Sequence, residues 1–91
     1  MKGSVKQISW AEDIKASAIL AVSCIVRNAE NDCYHGINFI SVEVAKELEQ
    51  MVVSGFDTMD DASQIISIRD RFTQPALENM ARHETKRRTQ R

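Results

Sequence analysis

The sequence predicts an all-α fold, a small helical bundle of three core helices with a partly docked C-terminal fourth helix. Three observations predict it. A helical apolar period opens at Ser4 and runs without a breaker to about Asn31. The three glycines and the single proline all fall outside the long periodic stretches, where they act as punctuation. Aromatics are limited to Trp10, Tyr34, Phe39, Phe56 and Phe72, so the core must come mainly from Ile, Val, Leu, Ala and Met. That composition favours helices over sheets. At 91 residues and 43% hydrophobic, the chain suits one domain, which at this size buries roughly 60 to 65% of its unfolded surface.

The first helix begins at Ser4, because Ser4 and Gln7 stand at capping-box spacing. Trp10, Ala11, Ile14, Ala18, Ala21, Val22, Ile25 and Ala29 share one face of its wheel. From Ile19 to Val26 the helix is apolar around most of its circumference. Such a segment either lies at the centre of the bundle or meets a second copy or a partner, and the two are compatible. Trp10 is expected to anchor the core, with a binding hot spot as the alternative. Residues 31–40 read as a connection. Ser41 caps a second helix, carried by Val44, Ala45, Leu48, Met51 and Val52 and expected to end near Ser54 with Gly55 as a left-handed stop. A third helix, capped by Thr58 or Asp60, is expected to reach Phe72 on a stripe of Ala62, Ile65, Ile68 and Phe72. Pro75 sets the start of a fourth. Its last apolar residues are Leu77, Met80 and Ala81, so only two turns are expected to dock. Glu78 with Arg82 and Glu84 with Arg88 stand at helical pairing distance.

Charge is distributed unevenly. Residues 1–81 form the expected helical domain and carry 7 basic and 12 acidic side chains; residues 82–91 form a basic tail with five basic residues against Glu84 alone. Arg82, Lys86, Arg87, Arg88 and Arg91 are therefore the candidate nucleic-acid contacts, acting by displacement of counterions and without sequence specificity. The competing reading is a solvated helix end. No stretch approaches the roughly 18 apolar residues that span a bilayer, and Met1-Lys2-Gly3 does not open a leader-like apolar run. A soluble, cytoplasmic protein with no membrane contact is the expectation.

Chemistry-bearing motifs are few. Cys24 and Cys33 would lie about 13 Å apart on a continuous helix, which favours two reduced thiols. Cys24, Cys33, His35 and His83 number four but lack zinc-ligand spacing, so no metal and no cofactor are expected. The adjacent carboxylates Glu12–Asp13 and Asp60–Asp61 diverge by roughly 100 degrees on a helix and cannot share a proton as a catalytic dyad does. Nothing pairs a nucleophile with a base, and the chain is expected not to be an enzyme.

The opening Lys6-Gln7-Ile8-Ser9-Trp10-Ala11-Glu12-Asp13-Ile14 resembles that of small helical domains encoded on bacterial phages and mobile elements, Ser-Glu-Lys-Gln-Ile-x-Trp-Ala-Glu-x-Ile. Those domains typically close on an aromatic doublet followed by Ile-x-x-Arg. The counterpart here is Asp61-Ala62-Ser63-Gln64-Ile65-Ile66-Ser67-Ile68-Arg69, where isoleucines replace the aromatics and the arginine falls one residue early. The resemblance covers about a fifth of the chain and implies a helical domain of phage or mobile-element origin, with no activity attached.

Together these observations point to a protein-interaction module, an accessory or inhibitory factor, whose contacts are Leu20 and Cys24 on the first helix and Glu43 and Glu47 on the acidic second helix. Its partner is an unidentified protein or a second copy of the chain. The alternative is a nucleic-acid-binding accessory protein that uses the basic tail. On the first reading, Leu20→Glu is expected to abolish binding while leaving helicity intact by circular dichroism; loss of the fold itself would contradict it.

Overall fold

A computed structural model describes residues 2–89. It is an all-α fold of four helices: α1 (Val5–Glu30), α2 (Val42–Thr58), α3 (Ala62–Ser67) and α4 (Gln74–Thr89). Short 3-10 turns at Gly36–Asn38 and Arg69–Phe72 complete it. No strand occurs among the described residues, and no helix there is long and apolar enough to cross a membrane.

The capping box at Ser4 forms as spaced. The Gln7 amide donates to Ser4 Oγ at 3.2 Å, and the Ser4 amide donates to Gln7 Oε1 at 3.0 Å. At the other end the chain leaves α1 through Asp32, whose φ of 55° lies in the left-handed region. Cys33 N–H then reaches Asn28 O at 2.9 Å and Asp32 N–H reaches Ala29 O at 3.2 Å, the bond pair of a Schellman closure. Between these ends α1 packs on α2, α3 and α4 alike, and Ala11, Ala18, Val22 and Ile25 lose all solvent contact. It is the central helix, with the alanines allowing close approach of its neighbours.

Three boundaries differ from those expected. First, α2 does not stop at Gly55 but runs through it to Thr58. Continuing the helix places Phe56 in the core, 4.7 Å centroid to centroid from Phe72, and that burial outweighs the roughly 1 kcal/mol cost of an internal glycine. Second, the cap of α3 is Asp61, not Thr58 or Asp60: its carboxylate accepts from the Ser63 amide at 3.0 Å and the Ser63 hydroxyl at 2.8 Å. The two bonds hold the Asp61 carboxyl below its usual range. Third, α3 ends at Ser67, and the tighter turn at Arg69–Phe72 carries Phe72 back toward α2.

Trp10 is also placed otherwise than expected. It is 46% exposed, with the Arg69 guanidinium 5.1 Å from the ring centroid. Ala11, Ala62 and Ile65 already seal the core on that side, each at zero exposure, so the ring lies outside it. The two chain segments are further joined by Lys2 N–H to Asp60 O at 2.6 Å and Ala62 N–H to Lys2 O at 2.8 Å. Gly3, at φ 138°, permits this: a Cβ there would come within 3.0 Å of the Ala62 Cβ.

A Cβ at Gly55, by contrast, meets nothing within 4 Å. Gly55→Ala is therefore expected to stabilise the fold by about 0.5–1 kcal/mol in urea unfolding. A destabilised variant would mean that α2 does not run through this position as a regular helix.

Candidate interaction surfaces

The C-terminal half of α4 is a docked helix as far as Thr85, rather than one that leaves the body after Ala81. Thr85 is buried, donates to Ala81 O at 2.8 Å, and accepts from the Ser41 amide at 3.3 Å. It thus supplies a partner for the residue that caps α2, whose own hydroxyl accepts from the Val44 amide. No apolar residue signals this contact in advance; the threonine is buried with its hydroxyl satisfied by Ala81 O and the Ser41 amide.

The expected basic tail divides into two faces. On one, Glu84 takes Arg87 through two bonds at 2.6 and 3.0 Å and Arg88 through a third at 3.0 Å. Arg88 also bonds Glu47 of α2. These guanidiniums, Arg87 first and then Arg88, hold the Glu84 carboxyl down at about 2. The Glu84–Arg88 pair forms as spaced; the Glu78–Arg82 pair does not. Glu78 instead accepts from the Tyr34 hydroxyl at 2.7 Å, drawing the loop after α1 onto α4, while Arg82 donates to Asn79 Oδ1 at 3.3 Å. Arg82 Nε is buried without a hydrogen-bond partner.

On the other face, Arg82 and Lys86 line a cleft of about 220 Å³ with Gly36, Ile37 and Phe39. Phe39 is 46% exposed. No stacking aromatic is close to these residues in sequence, yet the fold brings one there because the 36–39 turn folds against α4. Arg91 lies outside the described residues.

Of the four residues expected to bind a protein partner, Leu20 is 72% exposed on α1. Among its helical neighbours Ser17 and Ser23 are polar and Ala16 carries only a methyl group, so Leu20 stands in no broad apolar area. Cys24, one turn on, is partly covered by Gln74 of α4, whose amide lies 3.8 Å from its sulfur. Glu43 and Glu47 are exposed on α2, and Glu47 is engaged by Arg88.

A broader apolar surface lies elsewhere, in the seam between α2 and α4. A groove of about 570 Å³ lined by Leu48, Val52, Phe56, Phe72 and Leu77 adjoins a second cavity of about 270 Å³ that ends at Glu47, Glu84 and Arg88. Met51 and Met80 border both and remain 65% and 48% exposed. Their helical spacing had placed them with the core. Spacing along one helix does not show which of its apolar residues another element covers.

Neither thiol is in a disulfide, and no group of three or more His, Cys, Asp or Glu residues is placed to hold a metal ion among the described residues. No protein-family model, no curated protein and no solved structure matches this chain.

Tyr34 offers a direct check on the loop contact. Burial, then its bond to Glu78, raise the phenol from 10.0 to about 12. A raised pKa means that the neutral phenol stabilises the fold fully below pH 10, a contribution lost as pH climbs through 12. Because Tyr34 is the sole tyrosine, phenolate absorbance reads it alone, and Glu78→Gln is expected to lower the midpoint. Ionisation at the ordinary pKa with helicity intact would contradict the Tyr34–Glu78 contact.

Proposed function

We propose that this chain is a protein-interaction module, acting by binding rather than by chemistry, and that it serves as an accessory or inhibitory factor of the phage or mobile element its opening suggests. The observation that carries the reading is the α2–α4 groove. Its floor is apolar, two exposed methionines stand on its rim with Asp70, Arg71 and Asn79, and it lies between α2, α4 and the turn that precedes α4. A contiguous apolar area of this kind has an energetic cost in water that a covering element removes. Grooves between helices accept the apolar face of a third, and flexible methionine side chains adapt to what enters. The contact is thereby moved from Leu20 of α1, which is exposed outside any broad apolar area, to the groove, so that Leu20→Glu is no longer expected to abolish binding.

A second reading, single-stranded nucleic acid, has one observation in its favour: Phe39 stands beside Arg82 and Lys86, a ring for a base next to cations for phosphates. The acidic α2 alongside α4 and the pairing of Arg87 and Arg88 limit it to that cleft.

Two comparisons test these readings. Immobilised protein incubated with lysate of its source is expected to retain a partner that Met51→Glu, Met80→Glu double variants lose at unchanged helicity and that Leu20→Glu retains. A partner lost only from Leu20→Glu would transfer the function to α1. For the second reading, Phe39→Ala and Lys86→Gln are expected to weaken oligonucleotide binding more than Arg87→Gln does, with a salt slope near roughly 0.7 per phosphate contact, as is usual for single strands. Equal losses would return that binding to undirected charge.

A further inference from the structure

We infer that the cleft between the 36–39 turn and α4 binds a single nucleoside monophosphate unit, its phosphate held by Arg82 and Lys86 and its base laid on Phe39. The inference rests on the second reading, nucleic acid at this cleft, and goes further by naming how much of a strand the cleft takes and which end.

Charge sets the class of ligand. The polar side chains that line the cleft are Arg82, Thr85, Lys86 and Thr89, and no carboxylate lines it. Both hydroxyl protons are already spent: Thr85 donates to Ala81 O at 2.8 Å, and Thr89 donates to Thr85 O at 3.1 Å and Lys86 O at 3.0 Å. The side-chain donors left to a ligand are the two cations. Neither is paired with a carboxylate among the described residues. Arg82 gives its Nη1 to the neutral amide of Asn79 at 3.3 Å and keeps Nε buried without a partner. A buried N–H with no acceptor has a cost that ends when the guanidinium turns that edge to an anion. A neutral ligand gains little from two such groups, whereas a phosphate accepts charge-assisted bonds from both.

Geometry sets its size. Arg82 and Lys86 stand four residues apart on α4, a spacing of about 5–6 Å between Cβ atoms that lets both long side chains reach one phosphate. The cations that could take a next phosphate, Arg87 and Arg88, are bonded to Glu84 and Glu47. A phosphate track therefore ends after one contact. A phosphomonoester, with close to two negative charges at neutral pH, matches two cations better than the single charge of an internal diester. The facing wall is apolar, with Phe39 46% and Ile37 91% exposed. Phe39 is the one aromatic that lines the cleft, and an open ring face stacks a base with little preference among bases. A cleft of about 220 Å³ with one ring and one pair of cations thus suits one unit, either a free mononucleotide or the phosphorylated end of a strand.

The experiment is calorimetric titration of the full chain with adenosine monophosphate, with adenosine and inorganic phosphate separately, and with a short adenylate strand that carries or lacks a terminal phosphate. The monophosphate is expected to bind once per chain and on the order of tenfold more tightly than adenosine or phosphate, each of which uses half of the cleft. The phosphorylated strand is expected to match it and the unphosphorylated strand to bind more weakly. At helicity verified by circular dichroism, Phe39→Ala is expected to reduce the monophosphate to the affinity of inorganic phosphate. Lys86→Gln is expected to weaken monophosphate and phosphate alike, and Lys86→Arg to restore both. A monophosphate held no more tightly than inorganic phosphate, or held equally well by both weakened variants, would overturn the inference. The two readings fail separately: strands that bind through Phe39 and Lys86 while the monophosphate does not would refute only the single-unit site, whereas a monophosphate that binds while strands do not would refute only the strand. Binding of neither refutes both.

Discussion

Everything in this fold depends on covering α1. A 26-residue helix with alanine, valine and isoleucine at zero exposure along its length cannot stand in water, and each other element is present as part of its cover. α2 packs along one side, α4 along another, and α3 with the turn at Arg69–Phe72 closes the N-terminal end. The cover is complete where it faces α1 and incomplete where the covering helices face each other. In the α2–α4 seam Met51 and Met80 are left in solvent. The exposed groove lies away from α1, the helix whose burial organises the fold.

The same docking redistributes charge. A cationic segment read from sequence is a free reservoir of positive side chains, but once α4 is helical and seated against α2, Glu84 and Glu47 neutralise Arg87 and Arg88. These pairs are exposed and contribute little stability individually. Their effect is on what the surface offers: two cations are withdrawn from general electrostatics, and two, Arg82 and Lys86, remain beside an aromatic ring. Any affinity for phosphate is thereby local rather than spread along the helix. Cutting the chain after Ala81 would remove Thr85 as well as the cations, so it would perturb the start of α2 together with the charge.

How far the sequence revealed this depended on whether the deciding interaction was local. Ser4 with Gln7 and Ser41 with Val44 are contacts within one turn, and both are readable as spacing. The fold class followed from the same periodicities. Trp10, Gly55 and Glu78 were decided at long range. A tryptophan on an apolar stripe is expected inside unless alanines already close the core beneath it; a glycine is expected to stop a helix unless the next residue has a distant aromatic partner, as Phe56 has in Phe72. Glu78 is expected to pair with Arg82 unless a tyrosine from another loop arrives first. The groove was the least legible of all, since it is defined by how α2, α4 and the 68–72 turn meet and not by residues adjacent in sequence. Leu20, Cys24, Glu43 and Glu47 were identified from single-helix composition, and composition cannot show that Met51 and Met80 border one groove.

The two segments that carry the resemblance to phage-borne domains lie far apart in sequence and together in space. Gln7 completes the cap of α1, Ala11 is fully buried, Ile8 and Ile14 pack on the core, and Arg69 covers Trp10, while residues 60–62 bond the backbone of Lys2. Each of these residues has a structural task in fastening α3 to the start of α1. Of the two segments only Ile68 reaches the groove, and no residue of either lines the Phe39 cleft. What such a pattern can transmit from one chain to another is the fastening, and hence the architecture. On the proposed reading, the surfaces that would meet a partner belong to α2, α4 and the loop at 36–39. A shared opening therefore argues for a shared fold, and on the proposed reading a partner is to be sought at the seam between α2 and α4.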